Sequence, residues 1–215
     1  MSRYILSPHA QGTPEWLADR AGRATGSCAA KILAKIKSGE AATRRDYRFQ
    51  LAVERLTGRP AEPGYVSAEM EWGTLQEPSA RLAYEAATGN AVREAGFAYL
   101  PSIMTGCSVD GFIDDGGRVG IQEIKCPKTA THISYLLAER LPPDYEPQVL
   151  HNMWVTGAEF ADFVSFDPRL PEKLQLFIVR IERNEDAIKA HEKEVMLFLF
   201  EVAELENQLR KRAEQ

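Results

Sequence analysis

Three ionisable residues close together in the sequence have the types and spacing of a hydrolytic site. Asp110 sits in one strand-like run, Val109-Phe112-Ile113, and Glu123 and Lys125 sit on a second run, Val119-Ile121-Ile124. Between the runs lies Asp114-Asp115-Gly116-Gly117. Asp-Gly and Gly-Gly pairs supply the positive φ angles of a tight hairpin. Glu123 and Lys125 are two residues apart and therefore share a face of the returning strand. Asp110, on the outgoing strand, can lie beside them. Paired carboxylates are the usual way to hold Mg²⁺, a small hard cation that keeps much of its water. A lysine beside a metal-bound water can orient it or offset charge on a phosphate. An Asp and a Glu-x-Lys on neighbouring strands also form ordinary solvated ion-pair ladders, so the triplet leaves both readings open.

The elements that must position these residues follow from local signals. Thr13-Pro14-Glu15 starts a short helix ending near Gly22, with an N-cap, a proline at the first position and an acid at the positive end. Thr25-Gly26-Ser27 opens a second helix over Cys28–Lys37, with Ile32, Leu33 and Ile36 as an apolar stripe. A third helix spans Thr43–Leu56, with Tyr47 and Leu51 inward. Ser67–Thr88 is helical but must kink or restart at Pro78, and Ala80, Leu82, Ala83 and Tyr84 are expected to pack.

Strands are expected over Val92–Leu100, Thr105–Ile113, Arg118–Cys126, Glu159–Phe166 and Leu174–Ile181, and helices over Thr129–Glu139 and Asp144–Val155. A long helix, Asn184–Arg212, closes the chain. With no repeat, low-complexity segment or composition break, residues 1–215 read as one domain. The layout is α/β or α+β, a central mixed sheet flanked by helices.

Composition narrows the class. Hydrophobic residues make up 44% and charged residues 27%, the profile of a soluble globular protein. No run of about 18 apolar residues predicts a membrane span, and the start of the chain lacks a secretory h-region. Cys28, Cys107 and Cys126 are odd in number and scattered, which suggests a reducing cytosol and excludes a four-cysteine cluster. A net charge of −5 argues against a protein that coats nucleic acid, yet Trp16–Pro60 holds ten basic residues against four acidic ones. That third of the chain can present a local phosphate-tracking surface. Trp16, Trp72 and Trp154 are expected in the core. The four histidines are dispersed, and nothing marks them as ligands.

The motifs TPEW, R-x₆-S, WGTLQEPSARLAYEAATG, CSVDG, EIKCP and YEPQVLHNMWVTG occur in that order between about Thr13 and Pro168. This series resembles the lambda exonuclease (YqaJ-like viral recombinase) family, within the D…(D/E)xK nuclease superfamily and its restriction-endonuclease-like core. The resemblance implies that Asp110 and Glu123 are metal ligands, with the carbonyl of Ile124 and the acid of Glu77, and that Lys125 is the catalytic lysine. It places Tyr145 and Gln148 along the site, Arg20 and Ser27 on a DNA 5′-phosphate, and Lys37 near the strand junction of the incoming duplex. Ser27 is expected at the N-cap of the second helix.

The implied activity is Mg²⁺-dependent 5′-to-3′ exonuclease digestion of one strand of linear double-stranded DNA to mononucleotides. It uses two metals, with Mn²⁺ as a substitute, and leaves 3′ single-stranded tails. A homotrimeric ring, a single-strand annealing protein as partner, and a phage or prophage gene acting in the bacterial cytoplasm come with the same resemblance. Two rivals are a restriction-type endonuclease on the same core and an inactive DNA-binding clamp. The intact charged residues weigh against the clamp.

Overall fold

A computed structural model describes residues 3–61 and 67–215. Its elements are β1 (Ile5–Leu6), α1 (Pro14–Arg20), β2 (Ala24–Thr25), α2 (Ala29–Leu33), α3 (Ala42–Thr57), α4 (Ala68–Thr88), β3 (Val92–Arg93), β4 (Phe97–Tyr99), β5 (Thr105–Ser108), β6 (Gly111–Asp115), β7 (Arg118–Lys125), α5 (Thr129–Ala138), α6 (Glu146–Thr156), β8 (Phe160–Phe166), β9 (Leu176–Glu182) and α7 (Glu185–Ala213). The architecture is mixed α/β, with two mixed sheets ordered β1-β4-β5-β2 and β3-β6-β7-β8-β9.

The division into two sheets departs from the sequence reading in one respect. The runs 92–100 and 105–113 look continuous, but each breaks and feeds both sheets. Val92–Arg93 pairs with β6, whereas Phe97–Tyr99 pairs with β5. Thr105–Ser108 belongs to the first sheet and Gly111–Asp115 to the second. Val92 is half-buried and Arg93 exposed, whereas Phe97 and Ala98 are buried, but the switch is set by which strand each half pairs with, and apolar patterning carries no mark of that.

The β6–β7 hairpin has the turn its residues predict. Asp115 pairs with Arg118, and Gly116 and Gly117 between them take φ of 62° and 89°. Two consecutive positive φ values make the two-residue turn that matches strand twist, and only glycine adopts both cheaply. The register that follows pairs Phe112 with Ile121 and Gly111 with Gln122. Beyond Gln122, β7 is covered only by β8, which runs parallel to it through Lys125 opposite Ser165. The parallel pairing requires a crossover, and α5 and α6 provide it.

Alternate residues of β7 serve two cores. Ile121 joins a cluster with Phe112, Met153, Trp154, Leu51 and Phe198, which binds β7 to α3, α6 and α7. Ile124 joins Ala80, Tyr84, Phe160, Val164 and Phe166 on the α4 side. The helix α4 runs through Pro78 without a break. The ring forfeits the hydrogen bond its missing N–H would have made and crowds the carbonyl four residues earlier, and packing of Ala80 and Tyr84 holds the helix through it. Leu82, expected to pack, is 67% exposed instead, because Ala80 and Tyr84 define the inward face.

The second helix is shorter than its stripe suggests. A 3₁₀ turn, Gly26–Cys28, leads into α2, which stops at Leu33. Ile36 is 56% exposed and Lys37 lies outside the helix. Trp154 is fully buried as expected, but Trp16 and Trp72 are half-buried, each beneath an arginine, Arg20 and Arg169 respectively.

The histidines are less dispersed than their positions suggest. His151 Nδ1 and His191 Nε2 lie 3.1 Å apart in the core, and His151 Nε2 lies 3.1 Å from Thr105 Oγ1. Thr105 donates its own proton to Ala24 O, so His151 carries its hydrogen on Nε2 and receives one from His191. Burial in the core favours the neutral form of both rings. Burial, and for His151 also its neighbour, lowers their pKa values to about 3 and about 4. In the unfolded chain a histidine titrates near 6.5, so stability from the pair is full above that pH and is lost as pH falls toward 4. Replacing His191 by Gln removes one such proton. The stability advantage of wild type over His191→Gln in urea titrations should shrink by about 1.4 kcal/mol per pH unit below 6.5. A pH-independent difference would contradict this assignment.

Candidate functional site

The site forms where β7 outruns β6. The chain turns away at Asp110, whose N–H donates to Gln122 O at 3.1 Å, and the next outward-facing group on that edge is the N–H of Ile124. It has no strand to bond, and Asp110 Oδ2 accepts it at 2.6 Å. The N–H and C=O of one strand residue point the same way, so the Ile124 carbonyl faces the same edge. The sequence thus places a carboxylate and a main-chain oxygen side by side by ending a strand early.

Glu123 and Lys125 project together toward α6. Glu123 is buried, and Lys125 Nζ pairs directly with Glu123 Oε1. Gln148 Nε2 donates to the same oxygen at 2.5 Å, and Asn152 Nδ2 donates to Glu123 Oε2 at 3.1 Å. Gln148 and Asn152 are four residues apart on α6 and so lie on one face. Tyr145 ends the 3₁₀ turn before α6, and Lys125 Nζ stands 5.3 Å from its ring centroid. Glu77 lies on α4, half-buried, and shares with Asp110 and Arg81 the lining of a cleft of about 330 Å³.

The electrostatics are those of too much negative charge in too little water. Burial pushes the Glu123 carboxyl up to about 7, against the pull of Lys125 and with Asp110 and Glu77 adding to the rise. Burial and then the Asp110 charge raise Glu77 to about 6. Asp110 is raised by burial too, although Lys125 and the Ile124 N–H oppose it. Burial acts to lower Lys125, but the Glu123 and Asp110 carboxylates outweigh it and hold the ammonium charged.

With all groups ionised, three acids face one lysine in the centre of the site. A divalent cation relieves that excess, and the donors are hard oxygens suited to Mg²⁺ or Mn²⁺. Among the described residues no three acid, histidine or cysteine side chains form a ready-made metal cage. Mg²⁺ seldom uses one, being held by one or two carboxylates with water and substrate oxygens. The residues present therefore fit the ion.

A second cluster surrounds Arg20. Its guanidinium lies 4.1 Å from the Trp16 ring centroid, donates through Nη1 to Ser108 Oγ at 3.1 Å, and reaches Ser27 Oγ through Nη2 at 3.4 Å. Trp16 Nε1 donates to the same Ser108 oxygen at 3.0 Å. Burial lowers the Arg20 pKa, but a guanidinium starts so high that it stays charged. Ser27 is exposed, and it sits inside the 3₁₀ turn rather than at the helix N-cap expected of it. Gly26 beside it abuts α6, where a Cβ would stand 2.0 Å from Asn152 Oδ1. The Arg20–Ser27 cluster is therefore packed against the same helix face that holds Glu123. Lys37 is exposed and forms no hydrogen bond or ion pair with the described residues.

Two contributors escape sequence reasoning about the residues themselves. Asn152 lies in the motif YEPQVLHNMWVTG, and its four-residue spacing from Gln148 was the available signal. Arg81 follows Glu77 by four residues, donates to Asp110 O at 3.3 Å and pairs with Glu94. Cys126 is buried, with its thiol pushed up to about 12 by burial and the nearby carboxylates, which suits packing rather than nucleophilic work.

Comparison with known proteins places these features in a family. The profile of the YqaJ-like viral recombinase domain matches residues 15–159, which hold every site residue named above. The crystal structure of LHK-Exo in complex with dAMP shares 39% identity, with a TM-score of 0.85 over 94% of this chain and 98% of that one. A crystal structure of an alkaline exonuclease (LHK-Exo) from Laribacter hongkongensis matches at 38% identity and TM-score 0.83, over the same shares of the two chains. A phage-related exonuclease from Haemophilus somnus 129PT shares the fold at 18% identity and TM-score 0.66, over 87% of this chain and 96% of that one. No curated protein matches. The fold is restriction-endonuclease-like, and the chain belongs to the YqaJ-like viral recombinase family.

Proposed function

We propose that the protein is a Mg²⁺-dependent exonuclease that digests one strand of linear duplex DNA from its 5′ end, releasing mononucleotides and leaving a 3′ single-stranded tail. The observation that carries this reading is the convergence of Asp110, Glu123 and Lys125 at the uncovered edge of β7, with Glu77 nearby on α4. Similarity to LHK-Exo, described as an alkaline exonuclease, supports it.

Asp110, Glu123 and the Ile124 carbonyl would hold one Mg²⁺ or Mn²⁺, and Glu77 would help hold a second. Bound there, the metal supplies Lewis-acid stabilisation and a more acidic water. Lys125 hydrogen-bonds the attacking water and offsets charge on the phosphate. Gln148 and Asn152 fix the Glu123 carboxylate without adding charge. Tyr145 packs against Lys125 and limits where its ammonium can go. Arg20 and Ser27 bind the terminal 5′-phosphate.

The homotrimeric ring, the single-strand annealing partner that receives the tail, and a phage or prophage gene acting in bacterial cytoplasm belong to the same proposal. No helix among the described residues is long and apolar enough to cross a membrane.

Linear and closed circular duplexes, each incubated with Mg²⁺ and with EDTA, test the proposal. Only the linear DNA with Mg²⁺ should be consumed. Cutting of the closed circle would favour a restriction-type endonuclease, and no cutting at all a clamp. Lys37 gives a narrower test. Near the strand junction, Lys37→Ala should slow digestion of a blunt duplex more than of a frayed end. Equal slowing would reduce it to a general phosphate contact.

A further inference from the structure

The cleft beside Asp110 has a second wall, made by residues 8–11. This segment is tied down along its length. Ser7 N donates to Phe97 O at 2.8 Å, and Gln11 Nε2 donates to Val109 O at 3.1 Å and to Ala95 O at 3.4 Å. Gly96 permits the approach, because a Cβ there would stand 2.5 Å from Ser7 O and 2.7 Å from His9 O. The wall is thereby fixed one residue away from Asp110, through Val109.

His9 is the residue of this wall with chemistry to offer. Its Nδ1 lies 2.8 Å from Asp19 Oδ2, and Ser7 Oγ donates to that same oxygen. The His9 backbone N–H donates to Ser7 Oγ at 3.1 Å, which closes the ring of contacts. Burial acts to raise the Asp19 carboxyl, but hydrogen bonds from Ser7 and His9 and the Arg23 charge hold it below its ordinary value. An ionised carboxylate on Nδ1 keeps a proton there and aims the ring. Nε2 has no hydrogen-bond partner among the described residues, and the side chain is 42% exposed. The charged groups around the same cleft are Glu77, Asp110, and Arg81 paired with Glu94. A strand with its cut phosphate at Asp110 that ran out through this cleft would bring its neighbouring phosphates past this wall.

We propose that His9 is a substrate-contacting residue, its Nε2–H donating to a phosphate oxygen of the digested strand next to the phosphate that is cut. Asp19 and Ser7 are positioning residues that hold the ring. The contact rests on the nuclease reading above. It sets the imidazole between two anions, Asp19 behind and phosphate in front, and a hydrogen bond to a charged acceptor is stronger than one between neutral groups.

Linear 5′-phosphorylated duplexes carrying one uncharged methylphosphonate, moved through the linkages next to the cut site, test the contact in single-turnover digestion. At one linkage the replacement should slow wild type about tenfold or more, while slowing His9→Ala hardly further. His9→Asn, whose shorter amide can still donate to Asp19 but does not reach the Nε2 position, should show the same loss of coupling and decides the matter if His9→Ala fails to fold. Asp19→Asn should weaken the coupling at that same linkage and no other. Equal slowing of wild type and His9 variants at every linkage would overturn the contact and leave His9 as an anchor for its segment. Wild-type inactivity on unmodified duplex would instead overturn the nuclease reading, and the contact with it.

Discussion

Asp110→Asn and Lys125→Ala should each abolish digestion of linear duplex while the protein stays folded and still binds DNA. Asn at 110 keeps an oxygen able to accept the Ile124 N–H now held at 2.6 Å, so the edge of β7 should survive. What is lost is one anionic metal ligand. Alanine at 125 removes the ammonium that pairs with Glu123, leaving that carboxylate with Gln148 and Asn152. Loss of one group that stabilises charge in the transition state costs about 10²–10³ in rate, and loss of a metal more. The Lys125 variant carries a further signature. Without the ammonium, Glu123 has lost its main opposing charge and its carboxyl rises further above about 7. Any residual activity of Lys125→Ala should therefore need more Mg²⁺ near neutral pH than at alkaline pH. Rapid-quench digestion across a Mg²⁺ series measures both effects, and near wild-type rates in either variant would show that the site is elsewhere.

Arg20→Ala should erase most of a preference for 5′-phosphorylated over 5′-hydroxyl ends. Arg20 offers a planar fork of donors already steered by Trp16 and Ser108 toward Ser27, whose hydroxyl is exposed. A charge-assisted contact is worth roughly 1.5–3 kcal/mol, so wild type should favour the phosphorylated end on the order of tenfold or more. The fold should survive the change, because α1 buries no residue of its own fully. Ser27→Ala should show a smaller loss, since the hydroxyl is neutral. A preference untouched by Arg20→Ala would move the end-binding pocket away from this turn.

The parts of this site that could be read in the sequence are those whose positions are fixed by local geometry. The Gly116-Gly117 turn sets the register of β6 and β7, and that register brings Asp110 to Ile124 and puts Glu123 and Lys125 on one face. Glu77, Arg20 and Ser27 come from separate elements, and ordered motifs resembling a family, rather than spacing, pointed to them.

What was not legible depends on contacts between distant elements. The breaks at Ala95-Gly96 and Val109-Asp110, which split two apparent strands between two sheets, follow from where each half finds a pairing partner. Ile36 had the spacing of a helical stripe, but α2 ends at Leu33 and leaves it in solvent. Trp16 was expected in the core, and it instead lies half-buried beneath Arg20. His151 and His191 are forty residues apart in the sequence and meet only because α6 packs on α7.

The order in which labelled nucleotides leave a single strand tests the central claim most directly. A linear, 5′-phosphorylated duplex would carry one label in the 5′-terminal nucleotide and another in the 3′-terminal nucleotide of the same strand, with Mg²⁺ added to start the reaction. The account predicts that the 5′ label appears first, as a mononucleotide, while the 3′ label stays in long DNA until digestion is nearly complete. Release of the 3′ label first, or the early appearance of internal fragments carrying either label, would contradict it.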